Sequence, residues 1–408
     1  MLMISFHFPP VQGSSGVQRT LKFARYLPEH GWQPLILSAH PRAYQRLSQA
    51  QLGEIRDDVM VRRTFAFDSA RHLAWRGRYP SALALPDRWA SWWLSAVPAG
   101  LEMIRRHRPA AIWSTYPIAT AHMIGLTLQR LSGLPWIADF RDPMTEDDYP
   151  VRPTVRRVYR WIETHTVRRC ARAVFTTPGA QRMYAERYPE LPAARWARIE
   201  NGYDEENFQQ AADIAPPPRP ARVTLLHSGL LYPVERDPRA FFGALVDLRA
   251  AGDIDAGRFA VVLRATGHDG EFARLIAEHG LGDLVRLEPP VAYHAALAEM
   301  LAADALLIFQ AANCNHQIPA KLYEYLRARR PIFALTDAAG DTAAVLRAAG
   351  IDTVVPLDRR AAIAAGLRDF LARLRAGRAP VADAAEVERH SRRARSAELA
   401  ALLDEVIA

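Results

Sequence analysis

Cysteine and lysine are what this chain of 408 residues has least of. Its two cysteines, Cys170 and Cys314, cannot build a disulfide framework, and neither stands at metal-ligand spacing. That excludes a cysteine-stapled secreted domain and a zinc module, and it suits a reducing cytoplasm. Of 52 basic residues only Lys22 and Lys321 are lysine, so the rest are arginine. A lysine kept among so many arginines suggests a site that needs a compact point charge. Long apolar runs are also missing. The most hydrophobic stretch, residues 90–104, is too short for a bilayer and holds Pro98 and Glu102, so no transmembrane helix is expected. The first ten residues, MLMISFHFPP, lack a basic region and a long apolar core, so no secretory signal is expected either. Tryptophan is absent after residue 196, although nine occur up to and including Trp196.

Half of the residues are hydrophobic, enough for two substantial cores. The formal net charge is +8, which favours an anionic partner. Strand-like apolar runs alternate with helical ones: 1–6, 34–38, 59–65, 110–115, 135–140 and 173–177, then 222–228, 259–266, 284–290, 303–309 and 331–335. Such alternation predicts α/β structure with parallel sheets covered on both faces. A proline-rich stretch, 211–222, interrupts it, so the chain reads as two Rossmann-like domains, 1–210 and 223–384, joined by a linker and followed by a helix over 385–408.

Five segments hold candidate site residues. After the apolar run 303–309 comes IPAKLYEYLRARRPIFAL: Pro319 suits a first helical turn, and Lys321 and Glu324 lie on neighbouring turns of one helix. A helix N-terminus with a cation, then a carboxylate one turn in, fits a phosphate and a hydroxyl-rich ligand. The first strand leads into FHFPPVQGSSGVQR, where Gly13 and Gly16 flank two serines ahead of a helix that carries Arg19. Glycines let a backbone approach phosphate, although the spacing is not that of a dinucleotide fingerprint. DFRDPM places Asp139, Arg141 and Asp142 at the carboxyl end of a strand, where open α/β sheets bind ligands. HSGLLYPVER follows the first strand of the second domain and brings Gly229 and Arg236. ENGYDEENF (200–208) reads as a turn with Asp204 as a cap. Each has a plain alternative: a surface helix, a strand–helix turn, an Asp–Arg pair capping a helix, or a surface Arg beside Asp237. The Asp-x-Asp at 253–255 sits in a glycine-flanked turn far from these segments and is read as chance. No Ser-His-Asp order or nucleophile elbow occurs, and no nucleic-acid module is present.

Taken in order, these segments resemble the large family of retaining, nucleotide-sugar-dependent glycosyltransferases, family 4-like, that act in polysaccharide and lipid-linked glycan synthesis. The resemblance implies a GT-B fold: two Rossmann-like domains facing across a cleft, with the C-terminal helix crossing back to the first. It implies an enzyme that moves a sugar from a nucleotide-sugar donor to a glycan or lipid-linked acceptor, with retention and without a cofactor or divalent metal. The second domain would hold the donor through Gly229, Arg236, His316, Pro319, Ala320, Lys321 and Glu324, helped by Gly13, Gly16 and Arg19 from the first. Asp139, Arg141 and Asp142 would stand nearest the reacting centre. The chain departs from the family pattern in three places. His316 stands where the first of two glutamates belongs, Leu230 where an arginine follows the glycine, and Arg141 where a histidine is common. A nucleotide-sugar epimerase of the same fold, and a non-catalytic sugar-nucleotide-binding partner, remain as alternatives.

Residues 152–172 hold seven arginines against Glu163, with Arg152, Arg156 and Arg160 at helical spacing. Trp75, Trp89, Trp92 and Trp93 cluster within 65–95. Together they predict a cytoplasmic protein in peripheral contact with an anionic membrane, against the alternatives of a solvated basic helix and of tryptophans that fill the core.

Overall fold

The computed structural model describes all residues except 13, 14, 50, 77, 148 and 216–221, together with the side chain of Ser15. The chain forms two compact units, Met1–Asn201 with Arg392–Ala408, and Gly202–Ser391. The division falls at Asn201, ahead of the proline-rich stretch.

The first unit is built on a parallel sheet of seven strands: β1 (Leu2–Ile4), β2 (Leu35–Ala39), β3 (Met60–Thr64), β4 (Ile112–Thr115), β5 (Trp136–Arg141), β6 (Arg172–Phe175) and β7 (Trp196–Arg198). Their spatial order is β3-β2-β1-β4-β5-β6-β7. β1, β4 and β5 are buried along their whole length, as strands covered by helices on both faces must be. The second unit carries a parallel sheet of six: β8 (Val223–Ser228), β9 (Phe259–Arg264), β10 (Val285–Glu288), β11 (Ala305–Gln310), β12 (Ile332–Thr336) and β13 (Val354–Val355), in the order β10-β9-β8-β11-β12-β13. In each sheet the chain order reverses once, between β1 and β4 and between β8 and β11. Ligands of open α/β sheets bind at the carboxyl ends of the strands beside such a reversal.

The C-terminal segment is two helices rather than one, Ala384–Arg389 and Arg392–Ile407, broken at His390 and Ser391. The second belongs to the first unit. Its Leu399 and Leu403 share a core with Met3, Leu21 and Trp32, and the Trp32 indole donates to Asp404 at 2.9 Å. The tryptophan-rich region is mostly core. Trp92 is fully buried, Trp89 and Trp93 pack against the same cluster, and Trp75 alone of the four is 79% exposed. Of the four tryptophans the expected exposed face therefore reduces to Trp75, because Trp92 and Trp93 of the helix Trp92–His107, and Trp89 just before it, pack into the core.

Candidate functional site

At the reversal of the first unit, the ends of β1 and β4 meet at a tight crevice, with no room for a water molecule, lined by His7, Gly16, Thr115, Tyr116 and Arg141, among others. Gly16 lies in the first turn of the helix Ser15–Tyr26; Gly13 falls outside the described residues. Arg141 has a left-handed backbone, φ 60°, at the end of β5 and donates to the Tyr116 carbonyl at 3.2 Å. Burial, then the Arg141 charge, pushes the His7 imidazole down to about 4, so it is neutral near pH 7. Two larger surface hollows lie where the strands begin, at Met60–Arg62 and at Met1 and Leu35, away from every predicted site residue.

Two of the residues expected at this reversal are structural. Arg19 is 2% exposed and spends its guanidinium inside the unit. It forks onto Asp139 through Nη2 (2.8 Å) and Nε (3.0 Å), and also donates to the carbonyls of Ile199 and Glu200. Asp139 in turn accepts from Thr115 Oγ1 at 2.8 Å. Bidentate geometry with the remaining lone pairs satisfied is what lets a buried ion pair persist. Both are buried with their charges spent on each other inside the unit, which makes them a structural pair rather than a donor ligand and a catalytic carboxylate. Asp142, three residues beyond Asp139, is exposed.

The loop that follows β5 is held by a second buried network. Glu163 is fully buried and accepts from Arg187 Nη1 (2.9 Å), Tyr188 (2.7 Å), Tyr184 (2.9 Å) and Thr145 (2.8 Å). The Tyr184 hydroxyl also takes the Met144 N–H at 2.9 Å. The lone carboxylate of the arginine run is thus a tie between the helix Pro153–Arg169 and residues 144–145.

At the reversal of the second unit the charges are arranged differently. β8 ends at Ser228, and Gly229 turns with φ 116°, a region that favours glycine. A Cβ there would meet Lys321 Nζ at 2.8 Å, so the missing side chain leaves the space the ammonium occupies. Lys321 opens the helix Lys321–Ala328, after a turn in which the Leu322 N–H bonds the Pro319 carbonyl and Ala320 has helical dihedrals without a side-chain cap. Pro319 thus stands just ahead of the helix rather than inside it. Ser228 N–H donates to the Tyr325 hydroxyl at 2.8 Å, tying that helix to the end of β8.

Lys321 Nζ lies 3.0 Å from Nε2 of His227. Burial, then Arg236, lowers its pKa well below the ordinary 10.5, with Glu324 acting the other way. Arg236 is held over the Tyr232 ring at 5.3 Å while Nη1 donates to the Leu230 carbonyl at 2.8 Å. The Arg236 charge thus acts against the Lys321 ammonium and the Glu324 carboxylate for it. That carboxylate accepts from the Tyr293 hydroxyl at 2.7 Å. His316 lies in the loop before this helix, half-buried, and is not brought into the Lys321–His227 contact. His227 and Tyr293 were not anticipated. The signal for His227 was its place two residues before Gly229 at a strand end; Tyr293 is separated from Glu324 by 31 residues and left none.

Among the described residues, no group of three or more His, Cys, Asp or Glu side chains could hold a metal ion. Asp253 and Asp255 are each paired with an arginine, Arg368 and Arg258. Both cysteines are buried thiols, and burial pushes Cys170 up to about 12.

Residues 15–202 match the family described as Glycosyl transferase 4-like domain. No curated protein sequence matches the chain. Among solved structures, HepE of Anabaena in complex with UDP and glucose is similar at a TM-score of 0.67 and 13% identity, covering 99% of this chain and 100% of that one. Sucrose-phosphate synthase of Thermosynechococcus elongatus is similar at 0.65 and 14%, covering 99% and 98%. A UDP-forming α,α-trehalose-phosphate synthase of Burkholderia vietnamiensis is similar at 0.66 and 14%, covering 100% and 99%. The chain thus has the GT-B fold over its whole length, and residues 15–202, within its first unit but for the last, are similar to a glycosyl transferase 4-like domain.

Proposed function

We propose that the protein transfers a sugar from a nucleotide-sugar donor to a glycan or lipid-linked acceptor, with retention, in the synthesis of a cell-surface polysaccharide. The observation that carries the donor assignment is Lys321 set in the space left by the side-chain-free Gly229 at the sheet reversal of the second unit, with the Arg236 charge acting on it. Two cations that repel each other at the uncapped start of a helix fit an anion between them, and a diphosphate supplies the charge. As the donor's diphosphate leaves, negative charge grows on it, and cations already in place stabilise that charge without reorganisation. Glu324, oriented by Tyr293, fits the hydroxyls of a nucleotide ribose. HepE supports the reading, since its solved complexes hold UDP and UDP-glucose.

In this reading the second unit binds the donor and the first binds the acceptor, with Arg141 and Asp142 nearest the transfer. Contact with an anionic membrane is part of the proposal. The helix Pro153–Arg169 exposes Arg157 and Arg160, with Trp161 48% exposed between them and their neighbours. Arg152 and Val151, the latter 84% exposed, precede it. Arg156 is removed from that face because it donates to the carbonyls of Pro150 and Asp147. Among the described residues, no helix is long and apolar enough to cross a membrane. The experiment is a thermal-shift series over nucleotide sugars, followed by product analysis with the donor that stabilises most. Stabilisation by none, or an epimerised donor as the sole product, overturns the assignment.

A further inference from the structure

His227 has no part in the donor contacts described above, yet it is the most constrained polar side chain at the site. It is 1% exposed, near the end of β8. Its Nδ1 lies 2.8 Å from the Leu307 carbonyl on β11, and the Phe309 ring meets it edge-on at 5.2 Å. Its Nε2 lies 3.0 Å from Lys321 Nζ and 3.2 Å from the Gly229 carbonyl. Burial, then Lys321 and Arg236, lowers its pKa well below the ordinary value, so the ring carries one proton. The Leu307 carbonyl, the nearer of the two acceptors, takes that proton from Nδ1. Nε2 is then a lone pair facing an ammonium. An ammonium has three N–H groups and no acceptor. One is spent on His227, which fixes the direction of the other two.

We propose that His227 is a positioning residue for Lys321, a neutral imidazole acceptor locked to β11 that aims the ammonium at the anion site. The inference rests on the donor reading of that site. It explains why a flexible lysine serves here in a chain whose basic residues are otherwise arginine except for Lys22. A lysine reaching past Gly229 has four rotatable carbons and would sample many directions, and one fixed acceptor removes most of them. It also makes Gly229 and His227 parts of one device: the glycine provides the space and the histidine sets the direction.

The test is a cycle of His227→Phe, Lys321→Ala and the double variant in the full-length protein. Binding is read by calorimetry with whichever of UDP, GDP, ADP, CDP and dTDP raises the wild-type melting temperature most. His227→Phe is expected to weaken that nucleoside diphosphate about tenfold in the wild-type background and to change nothing when Lys321 is already alanine. His227→Gln, which returns an acceptor oxygen near the place of Nε2, is expected to recover most of the affinity. A merely structural role predicts equal losses in both backgrounds and no recovery, and either result overturns the proposal. If His227→Phe does not fold, judged by its melting temperature without ligand, His227→Ala carries the same comparison. If Lys321→Ala alone binds like wild type, the donor reading itself fails and this inference with it. If Lys321→Ala loses affinity while the His227 variants keep it, only this inference fails.

Discussion

The two sheet reversals make the same kind of place from the same topology and use charge in opposite ways. In the first unit, Arg19 forks onto Asp139 and caps two carbonyls, so the cation is cancelled inside the fold. In the second, Lys321 and Arg236 repel each other, with Glu324 as partial relief and a neutral histidine as Lys321's hydrogen-bond partner. A satisfied buried pair holds a structure together. An unsatisfied pair of like charges costs stability and is relieved by a ligand. The same contrast separates the two lysines: Lys22 is buried on Glu54 at 2.8 Å, whereas Lys321 is left to the site.

The largest effect that would test this contrast lies in the first unit. Asp139→Ala strands the Arg19 charge in the core, and losing one partner of a buried pair costs about 3–5 kcal/mol. Urea denaturation is expected to show that loss, and stability within about 0.5 kcal/mol of wild type would show that the pair is no anchor.

Next comes Lys321→Ala. It is expected to fold at least as well as wild type, because it removes a repelled cation, and to bind nucleotide sugar and nucleoside diphosphate alike about 1.5–3 kcal/mol more weakly. Calorimetry with both ligands decides it. The pH dependence has a definite sign. Lys321's folded pKa lies below its unfolded value. Between the two the unfolded chain binds the extra proton, so the lysine's contribution to stability grows as pH rises through that window. Affinity for the diphosphate moves the other way, falling as the ammonium loses its proton. The two trends should both be absent in Lys321→Ala.

Glu324 sharpens the comparison at a smaller scale. If it accepts from ribose hydroxyls rather than moving protons, Glu324→Gln keeps an acceptor and retains more activity than Glu324→Ala, whose loss is about 0.5–1.5 kcal/mol per hydrogen bond. Equal turnover by Glu324→Ala and wild type, at low and saturating donor alike, removes Glu324 from the site.

The smallest effects concern the exposed arginines. Each basic residue near an anionic surface contributes about 1 kcal/mol. Replacing Arg152, Arg157 and Arg160 by Gln is expected to release the protein from anionic vesicles in a flotation assay while leaving nucleotide binding intact. Equal absence of the unaltered protein from neutral and anionic vesicles removes the membrane from the proposal.

Much of this architecture was legible before any coordinates. Strands such as 303–309 and 135–140 are near-continuous apolar runs because both faces of a parallel sheet are covered, and β11 and β5 fall within a residue or two of them. β7 and β13 escape the sequence reading because they are short edge strands, half-buried or exposed, whereas the equally short β1 is fully buried and apolar. The sequence points to Lys321, Glu324, Gly229 and Arg236 because glycine turns and helix starts after apolar runs mark the carboxyl ends of strands, and the fold sets Lys321 beside Gly229.

What the sequence determined alone was therefore the class of fold and the ends of the strands where chemistry could be placed, since hydrophobic period and turn residues are local properties. What only the tertiary structure decided was which charges are spent. Arg19 and Asp139 are 120 residues apart, His227 and Lys321 are 94 apart, and the chain near each is equally consistent with a partner or with none. Pairing depends on which strand ends the sheet order brings together, and burial then settles whether a charge is cancelled, as at Arg19, or held for a ligand, as proposed at Lys321.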